Sequence, residues 1–185
     1  MKAADAVAAA VEAAPEALFV SALGTATSAL RRASDDGAHL YLGGAMGCGL
    51  AAALGVADCR PERDVVAVVG DGELLMGASS LWTLSGLAPP NLLVLVLDDG
   101  AYSITGGQEL VEARAFRSVA GAFPAVAASE AVTPDDVADA VRTLARPGVL
   151  LARIDERAWP GPSPFVDPHS VLTRFAQNAG ATRIG

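Results

Sequence analysis

The sequence predicts an α/β fold in which a doubly wound, mostly parallel sheet of about six strands is flanked by helices. Two short aliphatic runs, Val65 to Val69 and Leu92 to Leu97, have the length and apolar character of strands buried on both faces. Between them, apolar residues recur at helical spacing, at Leu74, Leu75, Ala78, Leu81 and Trp82. A strand, a crossover helix and a second strand form the repeating unit of parallel sheets. We therefore expect the two strands to be parallel and close.

The composition is that of one compact domain. The chain has 185 residues, of which 52% are hydrophobic and 18% charged, enough for one core but not for two ordinary domains. With a net charge of -8 and no basic stripe, no nucleic-acid binding is expected. Asp5, Glu12 and Glu16 interrupt the N-terminal apolar residues, and no run has the length of a membrane span, so we expect neither a signal peptide nor a membrane protein. Cys48 and Cys59 form no metal or disulfide pattern, which predicts a cytoplasmic protein with a buried thiol at Cys48.

The strands follow from short apolar runs along the chain. Residues 1–14 are alanine-rich and predict an N-terminal helical extension, a surface helix with few large apolar side chains to bury. Pro15 ends this helix, and residues 15–185 are expected to form a single domain. The further predicted strands are Ala17 to Leu23, His39 to Leu42, Phe123 to Ala127 and Val149 to Ile154.

Helices are predicted between these strands and after the last one. Thr133 is a capping residue, Pro134 stands at the first helical position, and Asp135 and Asp136 complete an acidic first turn. The segment WPGPSPFVDP is proline-rich and predicts an extended loop before a short docking helix. The predicted helices are Thr25 through Arg31, Cys48 to Ala57, Val111 to Val119, Thr133 to Ala145 and His169 to Ala176.

Each of the two central strands ends in an acidic turn. Gly70-Asp71-Gly72 follows the first strand and Asp98-Asp99-Gly100 the second. Either turn alone is an ordinary feature, but both lie at the carboxyl edge of the sheet, where open α/β sheets bind ligands. The carboxylates of these turns and of Glu73 would repel one another unless protonated or bound to a cation. Carboxylate and carbonyl oxygens suit Mg²⁺, and glycine N–H groups suit phosphates. The sequence therefore predicts a magnesium-diphosphate site.

The two turns and their surroundings resemble the cofactor-binding (PP) domain of thiamine diphosphate enzymes. In that family GDG is followed, further along the chain, by a closing NN or DN pair, for which this chain has Asp98-Asp99. The segments GDGELLM, NLLVLVLDDGAY and TGGQ are most similar to the small subunit of sulfopyruvate decarboxylase and the matching half of phosphonopyruvate decarboxylase. The resemblance covers roughly Leu18 to Ala176. It implies the thiamine diphosphate-binding fold, with thiamine diphosphate and Mg²⁺ as cofactors.

The resemblance also implies roles for individual residues. Mg²⁺ would be bound by Asp71, Asp99 and the backbone carbonyl of Ala101. The carbonyl of Gly44 would accept a hydrogen bond from the aminopyrimidine, and the Met46 side chain would bend the cofactor. The other residues carried over to cofactor binding are Gly24, Thr25, Gly70, Gly72, Glu73, Tyr102, Ser103 and Ile104.

The resemblance places Thr105 and Gln108, together with Met46, beside the reacting carbon and the substrate as catalytic residues. The sequence departs from the family pattern at several positions. Asp99 stands where the family usually has Asn, and Glu73 stands where many relatives have Ser or Ala. The relatives also continue with Pro-Thr after TGGQ, whereas this chain continues with Glu-Leu.

The resemblance implies half of an enzyme. In the family, a glutamate on a second domain, the pyrimidine (Pyr) domain, activates the cofactor, and this chain has no room for that domain. It therefore implies a separate Pyr-domain subunit, an α2β2 assembly, and decarboxylation of a small anionic 2-oxo acid such as sulfopyruvate or phosphonopyruvate.

Three other functions stay open at the level of sequence. The cofactor motif is shared with carboligases of the acetolactate-synthase type, and a noncatalytic subunit could retain the fold. A dinucleotide-binding module is the third, because Gly47 to Ala52 reads GxGxxA after a strand, with Asp71 downstream. His39 and His169 belong to no motif and are expected to be structural.

Overall fold

The computed structural model describes residues 1–34, 39–111, 115–155 and 158–180. Within these ranges the main strands are β1 Leu18–Ser21, β2 Leu40–Tyr41, β3 Val65–Gly70, β4 Leu92–Asp98, β7 Ala127–Ala131 and β8 Gly148–Arg153. They form a six-stranded sheet in the order β2-β1-β3-β4-β8-β7, and every pairing in it is parallel. A small antiparallel hairpin pairs β5 Ala101–Tyr102 with β6 Gln108–Glu109.

Helices cover both faces of the sheet, as the predicted fold class requires. They are α1 Ala3–Ala13, α2 Gly24–Ser34, α3 Gly49–Cys59, α4 Asp71–Met76, α5 Ser80–Leu87, α6 Phe116–Gly121, α7 Pro134–Thr143 and α8 Pro168–Asn178. One face packs against α1, α2 and α7, and the other against α3 to α6. Helix α8 lies beside the edge strand β2 and contributes to both layers. The prediction of a doubly wound α/β fold is confirmed.

The two central strands are buried on both faces and are neighbours, as predicted. Val66 and Val68 of β3 face the layer of α1, α2 and α7, whereas Val65, Ala67 and Val69 face the opposite layer. This alternation follows from the two-residue period of a strand. Strands β3 and β4 pair in register from Val65 opposite Leu92 to Gly70 opposite Leu97. Their acidic turns therefore begin at the same level of the sheet.

Helix α1 buries more than the sequence suggested. Ala3, Ala6, Val7 and Ala10 are fully buried and pack in the layer of α2 and α7. These positions recur with the helical period, so their small side chains form one continuous apolar face. The expectation of a surface helix with little to bury was wrong, because alanine lets helices approach closely.

The crossover between β3 and β4 consists of two short helices instead of one. Helix α4 ends at Gly77, where a Cβ would lie 2.2 Å from the carbonyl oxygen of Gly47. This close backbone contact interrupts the helix, and α5 resumes in a different phase. Leu81 is buried as predicted, but Leu75 is 39% exposed and Trp82 is 65% exposed.

Three further predictions were wrong in detail. The strand expected from Phe123 to Ala127 is β7, which begins only at Ala127. Phe123 instead packs edge-to-face against Trp82, with ring centroids 5.1 Å apart. The thiol of Cys48 is exposed, because the residue precedes the first buried turn of α3. Of the helix expected from Val111 to Val119, the structure shows α6, which begins at Phe116. Residues 112–114 of the expected helix lie outside the described ranges.

Other helices match their local signals. Helix α7 begins with a capping box in which the Thr133 side chain accepts from the Asp136 N–H, and the Asp136 side chain accepts from the Thr133 N–H. Pro134 stands at its first turn. No helix in the part of the chain that the structure describes has the length and apolarity to span a membrane.

Candidate active site

Asp71 joins the two acidic turns. Its Oδ1 accepts a hydrogen bond from the Gly72 N–H, and its Oδ2 accepts one from the Gly100 N–H, each at 2.7 Å. The side chain is buried, with 2% of Asp71 exposed. Because β3 and β4 end at the same level, one carboxylate at the start of α4 reaches the backbone of the next turn. The meeting of the two turns, which the strand order predicted, is observed.

Asp99 organises the second turn and the loop that follows it. Its Oδ1 accepts from the Ala101 N–H at 2.9 Å, and its Oδ2 accepts from the Ser103 hydroxyl at 2.6 Å. Asp98 has a different environment, because its backbone carbonyl accepts from the Ile154 N–H and its carboxylate is attracted by Arg153. Asp99 therefore lines the cavity, whereas Asp98 joins the turn to the end of β8 and its side chain also hydrogen-bonds with Asp71.

The carboxyl groups of the site hold their protons more tightly than usual. Burial raises the pKa of Asp71 to about 7, and the charges of Asp99 and Asp98 raise it further against the lowering effect of two backbone N–H groups. Burial likewise raises the pKa of Glu73 to about 8. Burial also raises the pKa of Asp98, although Arg153 opposes the shift. A bound cation would favour the charged carboxylates and so lower the pKa values that burial and mutual repulsion raise.

A cavity of about 320 Å³ opens above these turns. All thirteen residues that the sequence assigned to cofactor binding line it, and so does Thr105. They are Gly24, Thr25, Gly44, Met46, Gly70, Asp71, Gly72, Glu73, Asp99, Ala101, Tyr102, Ser103 and Ile104. The volume is in the range of small-molecule sites, roughly 300 to 1,000 Å³. These residues follow the carboxyl ends of four strands, β1, β2, β3 and β4, and converge on one cavity.

The donor set fits a divalent cation bound together with a diphosphate. Asp71 and Asp99 present carboxylates, while no group of three or more His, Cys, Asp or Glu residues suited to a metal occurs in the described ranges. A cation here therefore needs further oxygens from the backbone and from its ligand, which is how Mg²⁺ is commonly bound. A Cβ at Gly70 would meet no atom within 4 Å, so space for a ligand lies beside that backbone.

The turn before α3 supplies another wall of the cavity. The Gly44 N–H donates to the Ala22 carbonyl at 3.0 Å, and the Met46 N–H donates to the Gly44 carbonyl at 2.9 Å. The Gly44 carbonyl, which the resemblance assigned to the aminopyrimidine, retains one lone pair for a ligand. Gly44 has a φ of +118°, a backbone conformation that glycine adopts easily. Met46 is half-buried and faces the cavity.

Thr105 and Gln108 are paired with each other. The Thr105 hydroxyl donates to Gln108 Oε1 at 3.0 Å, and Gln108 Nε2 donates to the Thr105 carbonyl at 2.9 Å. Thr105 lines the cavity, whereas Gln108 is exposed and is not among the described residues that line it. The catalytic role that the resemblance gave to Gln108 stays a prediction.

The sequence analysis missed five residues that line the cavity: Leu23, Ala26, Leu97, Ile154 and Phe165. The first four lie at or near the carboxyl ends of strands, so their places follow from the strand order. Phe165 had no such signal, because it reaches the cavity through the proline-rich segment. That segment is fixed to α2, where the Ser28 hydroxyl accepts from the Gly161 N–H and Arg32 donates to the Pro160 carbonyl, each at 3.0 Å.

Comparisons with known proteins agree with this geometry. Residues 22–146 match the family described as thiamine pyrophosphate enzyme, C-terminal TPP binding domain. The chain is 40% identical over 167 residues to phosphonopyruvate decarboxylase of Streptomyces viridochromogenes, covering 86% of this chain and 41% of that protein. It is 36% identical over 91 residues to the sulfopyruvate decarboxylase subunit beta of Methanothermobacter thermautotrophicus, covering 49% of each.

The fold is also found in solved structures. A thiamine diphosphate-dependent 4-hydroxybenzoylformate decarboxylase of Rhodococcus jostii superposes with a TM-score of 0.66 at 22% identity, covering 84% of this chain and 33% of that one. The chain spans less than half the length of the phosphonopyruvate decarboxylases that it matches, 41% and 42%. The sequence match and the convergent cavity lead to one conclusion: this chain belongs to the family of C-terminal, cofactor-binding domains of thiamine pyrophosphate enzymes.

Proposed function

We propose that this chain is the cofactor-binding β subunit of a thiamine diphosphate- and Mg²⁺-dependent 2-oxo acid decarboxylase of the sulfopyruvate and phosphonopyruvate type. The observation that carries the proposal is the bridge from Asp71 to the Gly100 N–H at the base of the cavity. It brings two carboxylate turns to one point, as a cation-bound diphosphate requires. The names of the relatives support the substrate class.

The residues of the chain have separable tasks in this proposal. Asp71, Asp99 and the Ala101 carbonyl would bind Mg²⁺, and the backbone of Gly70 and Gly72 would approach the diphosphate. When bound, thiamine diphosphate supplies an electron sink for the loss of CO2 from a 2-oxo acid. The apolar residues of the cavity wall would orient the cofactor and exclude water from it.

The proposed enzyme needs a second subunit. The sulfopyruvate decarboxylase relatives of Methanothermobacter thermautotrophicus and Methanocaldococcus jannaschii are each named as subunit beta. We therefore propose a Pyr-domain α subunit that contributes the activating glutamate, in an α2β2 assembly acting on a small anionic 2-oxo acid. Two free, exposed cysteines support the cytoplasm as the compartment.

The dinucleotide-binding alternative is poorly supported. It gives no role to the Asp98-Asp99-Gly100 turn, although the Gly100 N–H of that turn donates to Asp71 and Asp99 lines the same cavity. The carboligase and noncatalytic alternatives share the fold and the cavity with the decarboxylase. Only experiments on cofactor binding and on the reaction products distinguish these three functions.

Coexpression with a Pyr-domain subunit and calorimetric titration test the proposal. We expect thiamine diphosphate to bind only with Mg²⁺ present, and a 2-oxo acid to yield CO2 and aldehyde in equal amounts. Acyloin without free aldehyde would identify a carboligase. Absence of thiamine diphosphate binding would identify a noncatalytic subunit, and NADH binding without Mg²⁺ would identify a dinucleotide module.

A further inference from the structure

Glu73 is a buried acid that the proposed chemistry does not use. The residue is 5% exposed, and its Oε1 accepts a hydrogen bond from the Gly49 N–H at 3.0 Å. Its Oε2 is buried and makes no hydrogen bond of normal geometry, although the Gly70 backbone N–H also acts on the carboxyl group. Burying a carboxyl group whose second oxygen is so weakly paired costs free energy. Such a group calls for a physical explanation.

The contact between Glu73 and Gly49 joins two helices. Glu73 lies in α4, directly after the Asp71 turn, and Gly49 is the first residue of α3. A Cβ at Gly49 would lie 2.4 Å from Glu73 Oε1 and 2.9 Å from Val69 Cγ1. Only glycine leaves room for this approach.

A second contact joins the other end of α4 to the same turn. A Cβ at Gly77 would lie 2.2 Å from the Gly47 carbonyl oxygen, so the two backbones are in direct contact. At Gly47, a Cβ would lie 3.1 Å from Met76 Cγ. Helix α4 therefore touches the segment 47–49 at both of its ends. Met46, which lines the cavity, immediately precedes that segment.

We propose that Glu73 is a positioning residue that, through the Gly49 N–H, sets the Gly44–Met46 turn against the Asp71 turn. Residues of both turns line the cavity. Helix α4 begins at Asp71 and carries Glu73 two residues later. It therefore fixes the distance between the two turns. The contact itself is a property of this chain, while its effect on thiamine diphosphate rests on the proposed function.

A matched pair of variants tests the contact. Glu73→Gln keeps a carbonyl oxygen that can accept from the Gly49 N–H, whereas Glu73→Met has a similar length and no such acceptor. Neither variant has an ionisable carboxyl group. In the cofactor-free chain we expect the amide hydrogens of residues 46–50 to exchange about tenfold faster in Glu73→Met than in wild type. In Glu73→Gln their exchange rates should lie within about threefold of wild type. Amides of α7 serve as the internal reference.

The same pair tests the effect on the cofactor. In the complex with the Pyr-domain subunit, we expect the Kd for thiamine diphosphate with Mg²⁺ to rise about tenfold in Glu73→Met and to change less than about threefold in Glu73→Gln. Equal exchange and equal affinity in the two variants would overturn the proposal.

Two further controls keep the outcome clear. If the wild-type complex binds no thiamine diphosphate, the proposed function fails, while the exchange comparison still decides whether Glu73 sets the turn. If Glu73→Met does not fold, Gly49→Ala breaks the same contact, because its methyl group would lie 2.4 Å from Oε1. Unchanged exchange of residues 46–50 in folded Gly49→Ala would then reject the proposal.

Discussion

The cavity has two unlike regions, the acidic turns (Asp71 to Gly72 and Asp98 to Gly100) and the apolar rim (Met46, Ile104 and Phe165). In the acidic turns, Asp71 is 2% exposed and both of its carboxylate oxygens accept hydrogen bonds. At the apolar rim, Ile104 is 44% exposed and Phe165 is 60% exposed. The acidic end of the cavity is therefore buried and hydrogen-bonded, whereas the apolar end exposes side chains to solvent.

The largest effect is expected from changing the acidic turns. Asp71→Asn removes a carboxylate from the proposed cation site, and we expect the affinity for thiamine diphosphate with Mg²⁺ to fall about 100-fold or more. The free energy of unfolding of the cofactor-free chain should not fall at pH 8, because the buried Asp71 carboxylate is unfavourable there. Calorimetric titration and urea unfolding measure the two quantities.

The matched control for this variant is Asp58→Asn on the exposed surface of α3. It makes the same change of Asp to Asn outside the cavity lining. It should alter neither the affinity for thiamine diphosphate nor the free energy of unfolding. If Asp71→Asn binds the cofactor as tightly as Asp58→Asn does, then the acidic turns are not the anchor, and the contrast between the two regions is lost.

Stability should also depend on pH through the acidic turns. The pKa of Asp71 rises from 3.8 to about 7, and that of Glu73 from 4.5 to about 8. Between those values the folded chain retains protons that the unfolded chain has released. Each group's stabilising contribution is therefore present at pH 4 and lost as pH rises toward 8, by up to about 1.4 kcal/mol per pH unit and group.

The difference between wild type and Asp71→Asn isolates one of these groups from all others. We expect the free energy of unfolding of wild type, relative to the variant, to decline from pH 5 to pH 7 and then to level off. Mg²⁺ with diphosphate should reduce the decline, because a cation favours the charged carboxylate. A difference that is constant over this range would show that Asp71 titrates normally.

A smaller effect is expected where the acidic turns meet the hairpin. A Cβ at Gly72 would lie 2.7 Å from two ring atoms of Tyr102. Gly72→Ala must displace that ring, which should lower the free energy of unfolding by about 1 to 3 kcal/mol. Gly55→Ala in α3 is the control, since its Cβ would meet no atom within 4 Å, and it should be neutral or stabilising. Thermal unfolding compares the two, and equal midpoints would mean that Tyr102 moves aside freely.

The acidic turns could be predicted because their signal is local. The runs Val65 to Val69 and Leu92 to Leu97 identify themselves as buried strands, and residues that follow two neighbouring parallel strands must meet at one edge. The joint position of Asp71 and Asp99 therefore followed from strand order alone. The resemblance added the residues of the Gly44 turn, which no local pattern assigned.

The features that the sequence did not reveal depend on contacts between distant segments. Strand β7 is an edge strand with the sequence AASEA, so it needs no apolar run and shows none. Trp82 is exposed instead of buried because the contact of Gly77 with Gly47, thirty residues earlier, divides the predicted helix into α4 and α5. Phe165 reaches the cavity on a segment that is hydrogen-bonded to Ser28 and Arg32 of α2. In each case the decisive partner is invisible in a local window of sequence.

The smallest effect on stability is expected at the apolar rim. Phe165→Ala removes a ring that is 60% exposed, so the free energy of unfolding should change by less than about 1 kcal/mol. Leu172→Ala on α8 is a matched control, because Leu172 is 59% exposed and does not line the cavity. In the complex with the Pyr-domain subunit, Phe165→Ala alone should raise the KM for the 2-oxo acid or the Kd for thiamine diphosphate, by about threefold or more. The Trp159 ring contacts Phe165, with ring centroids 5.9 Å apart. The fluorescence of Trp159 should therefore change when Phe165 is replaced by Ala. If both variants leave KM and Kd unaltered, Phe165 is ordinary surface, and the open side of the cavity is defined by Met46 and Ile104 alone.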